Sequence, residues 1–287
     1  MNSLKGKWNR NIYYIVEKIG KGTFGTVYKV LDERNKQKVL KMSKDTSSIT
    51  REYYTMEKLK SLDFVPEVYD FDDFQVKGEI YHFIVMDYIQ GQTLKEVSRK
   101  NKLDIEEIFQ IGYVIVDSLE KVYNMGYMYC DIKLENIILT GKNEVCFVDF
   151  GGVVEKNSPI IEYTPNYNMI SWKKNESGNY FGNIIFSTTM ILTTMFLRKE
   201  YHPFLFSLKD IDEKIKNTNL NKEIKKFLQR GLNGNYGSLN EYKNDLKKLS
   251  YHFGGFREEI DKIDYFFVVS IIFFIFSLLM GKKFCLF

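Results

Sequence analysis

The sequence predicts an α+β fold of two lobes, β-rich first and helical second, with one further apolar helix at the C-terminus. Three observations carry this. Runs of β-branched and aromatic residues crowd positions 13–86, helical periodicity takes over between 91 and 250, and Tyr265–Gly281 contains no charged residue. The 287 residues are 44% hydrophobic and 27% charged, enough apolar content for a sizeable core. A net charge of +4, with Lys and Arg scattered among Asp and Glu, offers no basic patch, so no nucleic-acid partner is expected. Cys130, Cys146 and Cys285 have neither metal-ligand spacing nor the pattern of a disulfide framework, and a reducing cytosol suits the first two. Met1–Arg10 lacks the apolar core of a secretory leader.

The N-terminal lobe is read strand by strand. Tyr13-Tyr14-Ile15-Val16 has strand composition, and Gly20, Gly22 and Gly25 then allow the backbone to approach a polyphosphate closely. A dinucleotide-binding fold requires a helix after such glycines. Here Thr26-Val27-Tyr28-Lys29-Val30 alternates and is β-branched, so the glycines fall at the tip of a hairpin. Lys38–Met42 is a third strand carrying Lys41. Between Ile49 and Leu62, Tyr53, Met56, Leu59 and Leu62 recur at helical spacing, with Glu52 near the start and Val65-Pro66 ending the helix. Taken singly, Lys41 is a surface lysine and Glu52 a solvated glutamate; the alternative is an ion pair between them across a cleft. Val68–Phe74 and Ile80–Met86 are two further strands, and Asp87–Gln92 breaks the pattern as a hinge between lobes.

The second lobe starts with a short helix at Thr93–Lys100 and a longer amphipathic one at Asp104–Met125, with Asp104 as N-cap and Gly126 past the end. Then comes Tyr129-Cys130-Asp131-Ile132-Lys133-Leu134-Glu135-Asn136, an acid, a base and an amide within one loop, followed by the strand Ile137-Ile138-Leu139 and by Val148-Asp149-Phe150-Gly151. Asp131, Lys133, Asn136 and Asp149 together suit a metal-bound phosphate and a hydroxyl that must lose its proton. Asn179–Leu197 is apolar enough to be mistaken for a membrane span, and only its place in the family resemblance given below implies instead the buried central helix of the second lobe. His202 is a loop histidine, and neither it, His82 nor His252 has neighbours suggesting a metal. Amphipathic helices at Glu223–Leu232 and Leu239–Leu249 close the lobe.

In this order and spacing, over roughly residues 13–250, the motifs resemble those of the eukaryotic-type (Hanks-type) serine/threonine protein kinases, and the likeness extends to bacterial membrane-anchored members. The resemblance implies an N-lobe at 13–86, a C-lobe at 91–250, and roles for individual residues. Asp131 accepts the substrate hydroxyl proton, Lys133 steadies the γ-phosphate, and Asn136 and Asp149 ligate Mg2+. Lys41 and Glu52 form the ion pair that positions the phosphates of ATP under Gly20, Gly22, Gly25 and Val27. Met86 is the gatekeeper, and backbone groups of Asp87 and Ile89 meet the adenine edge. ATP and Mg2+ are the implied cofactors, and proteins with Ser or Thr the implied substrates. A pseudokinase scaffold and a small-molecule kinase of related fold are the alternative readings.

Departures from the family pattern carry information of their own. The family's H-R-D is Tyr129-Cys130-Asp131 here. The tyrosine is expected to pack on Phe150. Cys130 replaces the arginine that receives a phosphorylated activation loop, and a neutral thiol cannot pair with a phosphate dianion. Activity independent of such phosphorylation is therefore expected, with Ser158 and Thr164 as the hydroxyls whose joint replacement by Ala tests it. Met169-Ile170-Ser171 stands where A-P-E is expected, its usual arginine partner aligns with Asn235, and the aspartate opening the next long helix aligns with Asn179.

Outside the kinase region, 1–12 reads as an N-terminal extension, 251–264 as a juxtamembrane linker, 265–281 as a transmembrane helix and 282–287 as a short tail. Tyr265–Gly281 is at the short end of the roughly 17–25 residues a span needs, and Lys282-Lys283 can snorkel to the head groups. A single-pass protein of the cell membrane is expected, its catalytic domain cytoplasmic, its partners the lipid bilayer through 265–281 and, by self-association, copies of itself concentrated in two dimensions.

Overall fold

The strand-forming runs at the start of the chain pair as their alternation requires. A computed structural model describes residues 3–22, 25–100, 103–141, 144–172 and 180–253. Strands β1 (Ser3–Lys5), β2 (Ile12–Gly22), β3 (Gly25–Leu31) and β4 (Gln37–Ser43) lead into helix α1 (Thr46–Leu59), and β5 (Val68–Val76) and β6 (Glu79–Asp87) follow. They form one six-stranded sheet in the order β1-β2-β3-β4-β6-β5, antiparallel throughout. Leu4, Tyr13, Val30, Leu40, Phe83 and Val85 build its apolar cluster, and each such side chain contributes about 1.5–3 kcal/mol by leaving water.

Residues 3–12, read from sequence as an extension, join this sheet through β1. Two carboxylates of β5 fasten them. Asp72 accepts the N–H groups of Trp8 and Asn9 at 3.0 and 2.8 Å. Asp70 accepts from the Asn9 and Asn11 amides at 2.6 and 2.9 Å and from the Tyr13 hydroxyl at 2.7 Å. A Cβ on Gly6 would lie 2.3 Å from Asp72 Oδ2, so any larger residue there must displace the carboxylate that holds Trp8 and Asn9.

Helix α1 starts three residues before its periodicity becomes legible, because Asp45 caps it by accepting the Ser47 N–H at 3.0 Å. After the irregular residues 88–90 come β7 (Gly91–Thr93), α2 (Leu94–Lys100) and α3 (Ile105–Asn124). Asp104 and Glu107 close a reciprocal capping box at the start of α3, and Gly126 follows it at φ 95°. Short strands β8 (Tyr127–Tyr129), β9 (Ile137–Thr140), β10 (Val145–Phe147) and β11 (Val153–Glu155) then form two small sheets, β10-β9-β7 and β11-β8.

Helix α4 (Tyr180–Leu197) is buried at every position from Ile184 to Met195. Among the described residues it is the one helix long and apolar enough to cross a membrane, and 67% of it is inside the protein, in keeping with a central core helix. Helices α5 (Leu208–Lys216), α6 (Lys222–Leu232) and α7 (Leu239–Phe253) follow it. Helix α5 is not among the elements expected from sequence, although Ser207 and Asp210 form its capping box. The proposed transmembrane helix at 265–281, the tail at 282–287 and most of the linker lie outside the described residues.

Candidate active site

The β3–β4 register sets Lys41 beside Val27, and the first turns of α1 bring Glu52 to it. Lys41 Nζ lies 2.6 Å from Glu52 Oε2 and 2.7 Å from Asp149 Oδ1. Both members of the first pair are buried, at 8% and 1% exposure, so neither is the solvated surface residue that each suggests alone. Burial opposes the lysine charge, but Glu52 and then Asp149 outweigh it and hold the ammonium above the usual lysine range. Burial likewise opposes the Asp149 charge, and Lys41 overcomes it and draws the carboxyl below its usual range. At Glu52 burial pushes the carboxyl up while Lys41 and the Phe150 N–H, at 3.3 Å, pull it back; with the ammonium at 2.6 Å the contact stands as an ion pair. Deleting one partner of such a pair costs about 3–5 kcal/mol.

Asp149 has a backbone φ of 69°, in the left-handed region that non-glycine residues avoid. The strain, of order ~1–3 kcal/mol, is held by neighbours. The Tyr129 hydroxyl donates to the carbonyls of Asp149 and Val148, at 2.9 and 3.1 Å. Its ring meets the fully buried Phe150 edge-on, centroids 5.6 Å apart, as the sequence suggested.

Asp131 is buried at the head of its loop. Lys133 Nζ lies 2.5 Å from Oδ2, the Thr164 hydroxyl donates to Oδ1 at 2.7 Å, and the Asn136 amide donates to the main-chain carbonyl at 3.0 Å. Gly152 packs against it so closely that a Cβ would lie 2.5 Å from that of Asp131. A cleft of about 480 Å³ brings together Gly22, Gly25, Val27, Lys41, Asp131, Lys133 and Asp149, closed on one side by residues 161–164. Glu52 and Asn136 act on it through Lys41 and Asp131. Gly20 pairs with Val27 in the hairpin. Asp87 ends β6, its N–H bonded to Glu67 O and its carboxylate to Lys38 and Tyr69, and Ile89 lies in the irregular hinge. Asp149 and Asn136 offer the hard oxygen donors that magnesium prefers. Among the described residues no cluster of three or more His, Cys, Asp or Glu side chains is placed to hold a metal, and an ion shared with a triphosphate requires none.

Three anchors were not read from the sequence. The Tyr129 N–H donates to the Tyr180 hydroxyl at 2.9 Å, so the first residue of α4 anchors the strand that enters the catalytic loop, while Asn179 lies outside the described residues. In place of an A-P-E ion pair, Trp172 is buried beside Phe186 and donates to Asn166 O at 3.0 Å; Asn183 and Ser187 of α4 bond the main chain at Met169 and Tyr167. Arg230, five residues before the expected Asn235, pairs with Asp245 at 2.8 Å and Glu241 at 2.5 Å and so ties α6 to α7. Cys130 is buried, and burial followed by the Asp131 charge pushes its thiol up to about 12, so it is neutral.

Residues 13–249 match the protein kinase domain family. The chain is 30% identical over 251 residues to the serine/threonine-protein kinase YabT of Bacillus subtilis, covering 85% of this chain and 73% of that one. It is 28% identical over 165 residues to a probable serine/threonine-protein kinase of Clostridium perfringens, covering 55% of this chain and 24% of the relative. It is 31% identical over 141 residues to the serine/threonine-protein kinase PknK of Mycobacterium tuberculosis, covering 47% and 13%.

Proposed function

This chain belongs to the protein kinase family, as a serine/threonine protein kinase of the Hanks type, and on that premise we propose that it transfers the γ-phosphate of Mg-ATP to protein hydroxyls through Asp131, Lys133, Lys41, Asn136 and Asp149. The observation that carries the reading is the divided carboxylate of Asp131. One oxygen holds the Lys133 ammonium at 2.5 Å, and the other receives the aliphatic hydroxyl of Thr164 at 2.7 Å. A carboxylate within hydrogen-bond reach of a hydroxyl is what a general base requires.

In the transfer, Asp131 takes the proton of the acceptor hydroxyl as its oxygen bonds the γ-phosphorus and the bond to the β–γ bridging oxygen breaks, leaving ADP. Lys133 offsets the charge on the moving phosphoryl group. Lys41, fixed by Glu52, holds the α- and β-phosphates, and Gly20, Gly22, Gly25 and Val27 cover them. The adenine edge lies against backbone groups of Asp87 and Ile89. Magnesium, held by Asn136 and Asp149, neutralises phosphate charge when bound. Positioning and charge neutralisation account for most of phosphoryl-transfer catalysis.

The reading includes a single-pass anchor at 265–281, supported by its uncharged composition, with the catalytic domain facing cytosolic ATP and copies meeting in the plane of the bilayer. It also includes independence from activation-segment phosphorylation, supported by the neutral, buried thiol of Cys130. The contact of Thr164 with Asp131 alters how that independence is tested: replacing Thr164 removes a hydrogen bond from the base whether or not the residue is ever phosphorylated. Phosphatase treatment and Ser158→Ala are the appropriate perturbations. Radiolabelled ATP, mixed protein substrates and phosphosite mapping test the transfer, and membrane flotation of the full chain against a 1–264 truncation tests the anchor. Label on serine and threonine, and flotation of the full chain only, are expected. Label on sugars or antibiotics with none on protein would replace the reading with that of a small-molecule kinase.

A further inference from the structure

Arg51 and Glu52 are neighbours on α1, and they serve opposite sides of the site. Glu52 turns to Lys41. Arg51 Nη2 lies 2.7 Å from Glu162 Oε1, and Arg51 Nε donates to the Gly151 carbonyl at 3.3 Å. One guanidinium therefore holds two points of the chain after Asp149, the turn that carries Phe150 and the middle of the segment that closes the cleft. Residues 159–164 have no regular secondary structure, so side-chain ties decide where they lie. Ile161 and Tyr163 are exposed at 55% and 50%, whereas the Glu162 side chain between them is only 9% exposed and lies against Gly151. Two further ties fix the ends of the same arrangement: Thr164 to Asp131 at 2.7 Å, and the Phe150 N–H to Glu52 at 3.3 Å.

We propose that Arg51 and Glu162 are positioning residues forming a built-in latch, in which the Glu162 carboxylate supplies permanently the negative charge that a phosphate would otherwise bring to the segment, and the α1 arginine, rather than the residue at Cys130, receives it. The proposal rests on the kinase reading of the cleft and names how the site is kept assembled. Because Arg51 and Glu52 share one helical turn, the latch holds α1 where Glu52 meets Lys41. Its loss is felt first in the contact between Lys41 and the nucleotide phosphates. Arg is suited to the task, since its planar fork bonds the carboxylate and the Gly151 carbonyl together, which an ammonium does poorly.

A double-mutant cycle on the full-length chain tests this, using Arg51→Gln, Glu162→Gln and the pair, with kcat, KM for ATP and Tm measured for each. Each single variant is expected to lose about tenfold in kcat/KM with a raised KM for ATP, and the double variant to be no worse than either single one. Arg51→Lys is expected to restore part of the loss. Additive losses, full activity in either single variant, or a loss of kcat at unchanged KM that follows Tm would overturn the latch. Phosphatase treatment of the same preparations keeps the two ideas apart. Coupled variants with a wild type that phosphatase inactivates would sink phosphorylation independence and overturn Glu162 as the substitute for a phosphate, leaving only a structural tie between Arg51 and Glu162. An active dephosphorylated wild type with uncoupled variants would overturn the latch and leave phosphorylation independence standing.

Discussion

The backbone N–H of Tyr129 donates to the hydroxyl of Tyr180 at 2.9 Å, joining the strand that enters the catalytic loop to the first residue of the core helix. The Tyr129 side chain meanwhile bonds the carbonyls of Val148 and Asp149. One residue thus connects the core helix, the Asp131 loop and the strained Asp149 backbone. Tyr180→Phe leaves the Tyr129 N–H without its acceptor, a loss of about 1–3 kcal/mol for a buried donor. The expected outcome is a lower kcat at nearly unchanged KM for ATP, because the affected group orients Asp131 and not the nucleotide. Steady-state kinetics check it, and an unchanged kcat would show that the bond orients nothing.

Gly152→Ala should be more damaging than its size suggests. The added carbon meets Asp131 Cβ at 2.5 Å and its main-chain nitrogen at 3.2 Å, so the catalytic loop must move. A fall in kcat of about 100-fold or more is expected, in line with small misplacements of reacting groups. Nucleotide affinity, read by fluorescence titration, should change far less.

Cys130 should resist alkylation in the folded protein. Its thiol is held up to about 12, from an ordinary value of 9.0, by burial and by Asp131. Between those two values the unfolded chain releases a proton that the folded chain keeps. Stability from this group is therefore present below pH 9.0 and is lost as pH rises toward 12. Mass spectrometry after iodoacetamide at pH 8 should find Cys130 unmodified until denaturant is added.

Trp172→Ala should destabilise the C-terminal lobe by about 3–5 kcal/mol, the usual loss for a large buried aromatic. It removes the packing on Phe186 and the bond to Asn166 O. Thermal unfolding measures the first effect. Because Asn166 and Tyr167 lie just past Thr164, KM for a peptide substrate should rise as well.

The sheet and the long helices were legible because their periodicity is local: β3 alternates, and α3 has both its cap and its apolar stripe in sequence. Lys41, Glu52, Asp131, Asn136 and Asp149 were legible as a set through order and spacing, although Lys41 and Glu52 taken singly read as surface residues. Their burial depends also on Asp149 and Phe150, 108 residues from Lys41 and 98 from Glu52, which no local pattern reveals. Tyr180, Trp172 and Arg230 were not legible for a different reason. Tyr180 and Trp172 lie next to positions where charged residues are expected, and Arg230 makes its ion pairs five positions before the expected site, whereas motif matching looks for the expected residue at the expected place. Residues 3–12 looked like an extension because a three-residue strand has too little alternation to detect, and their fastening depends on Asp70 and Asp72 of β5.

The most direct test of the central claim is phosphate transfer from radiolabelled ATP by the full-length wild type beside Asp131→Asn. The substitution keeps the shape and removes the carboxylate that accepts the proton. The structure predicts labelling of protein serine or threonine by the wild type and a loss of about 100-fold or more in the variant, the contribution of a well-placed general base. Nucleotide binding, measured on the same samples, should be retained. Equal labelling by the two proteins, or none above background in either, would contradict the assignment of Asp131 as the catalytic base of an active kinase.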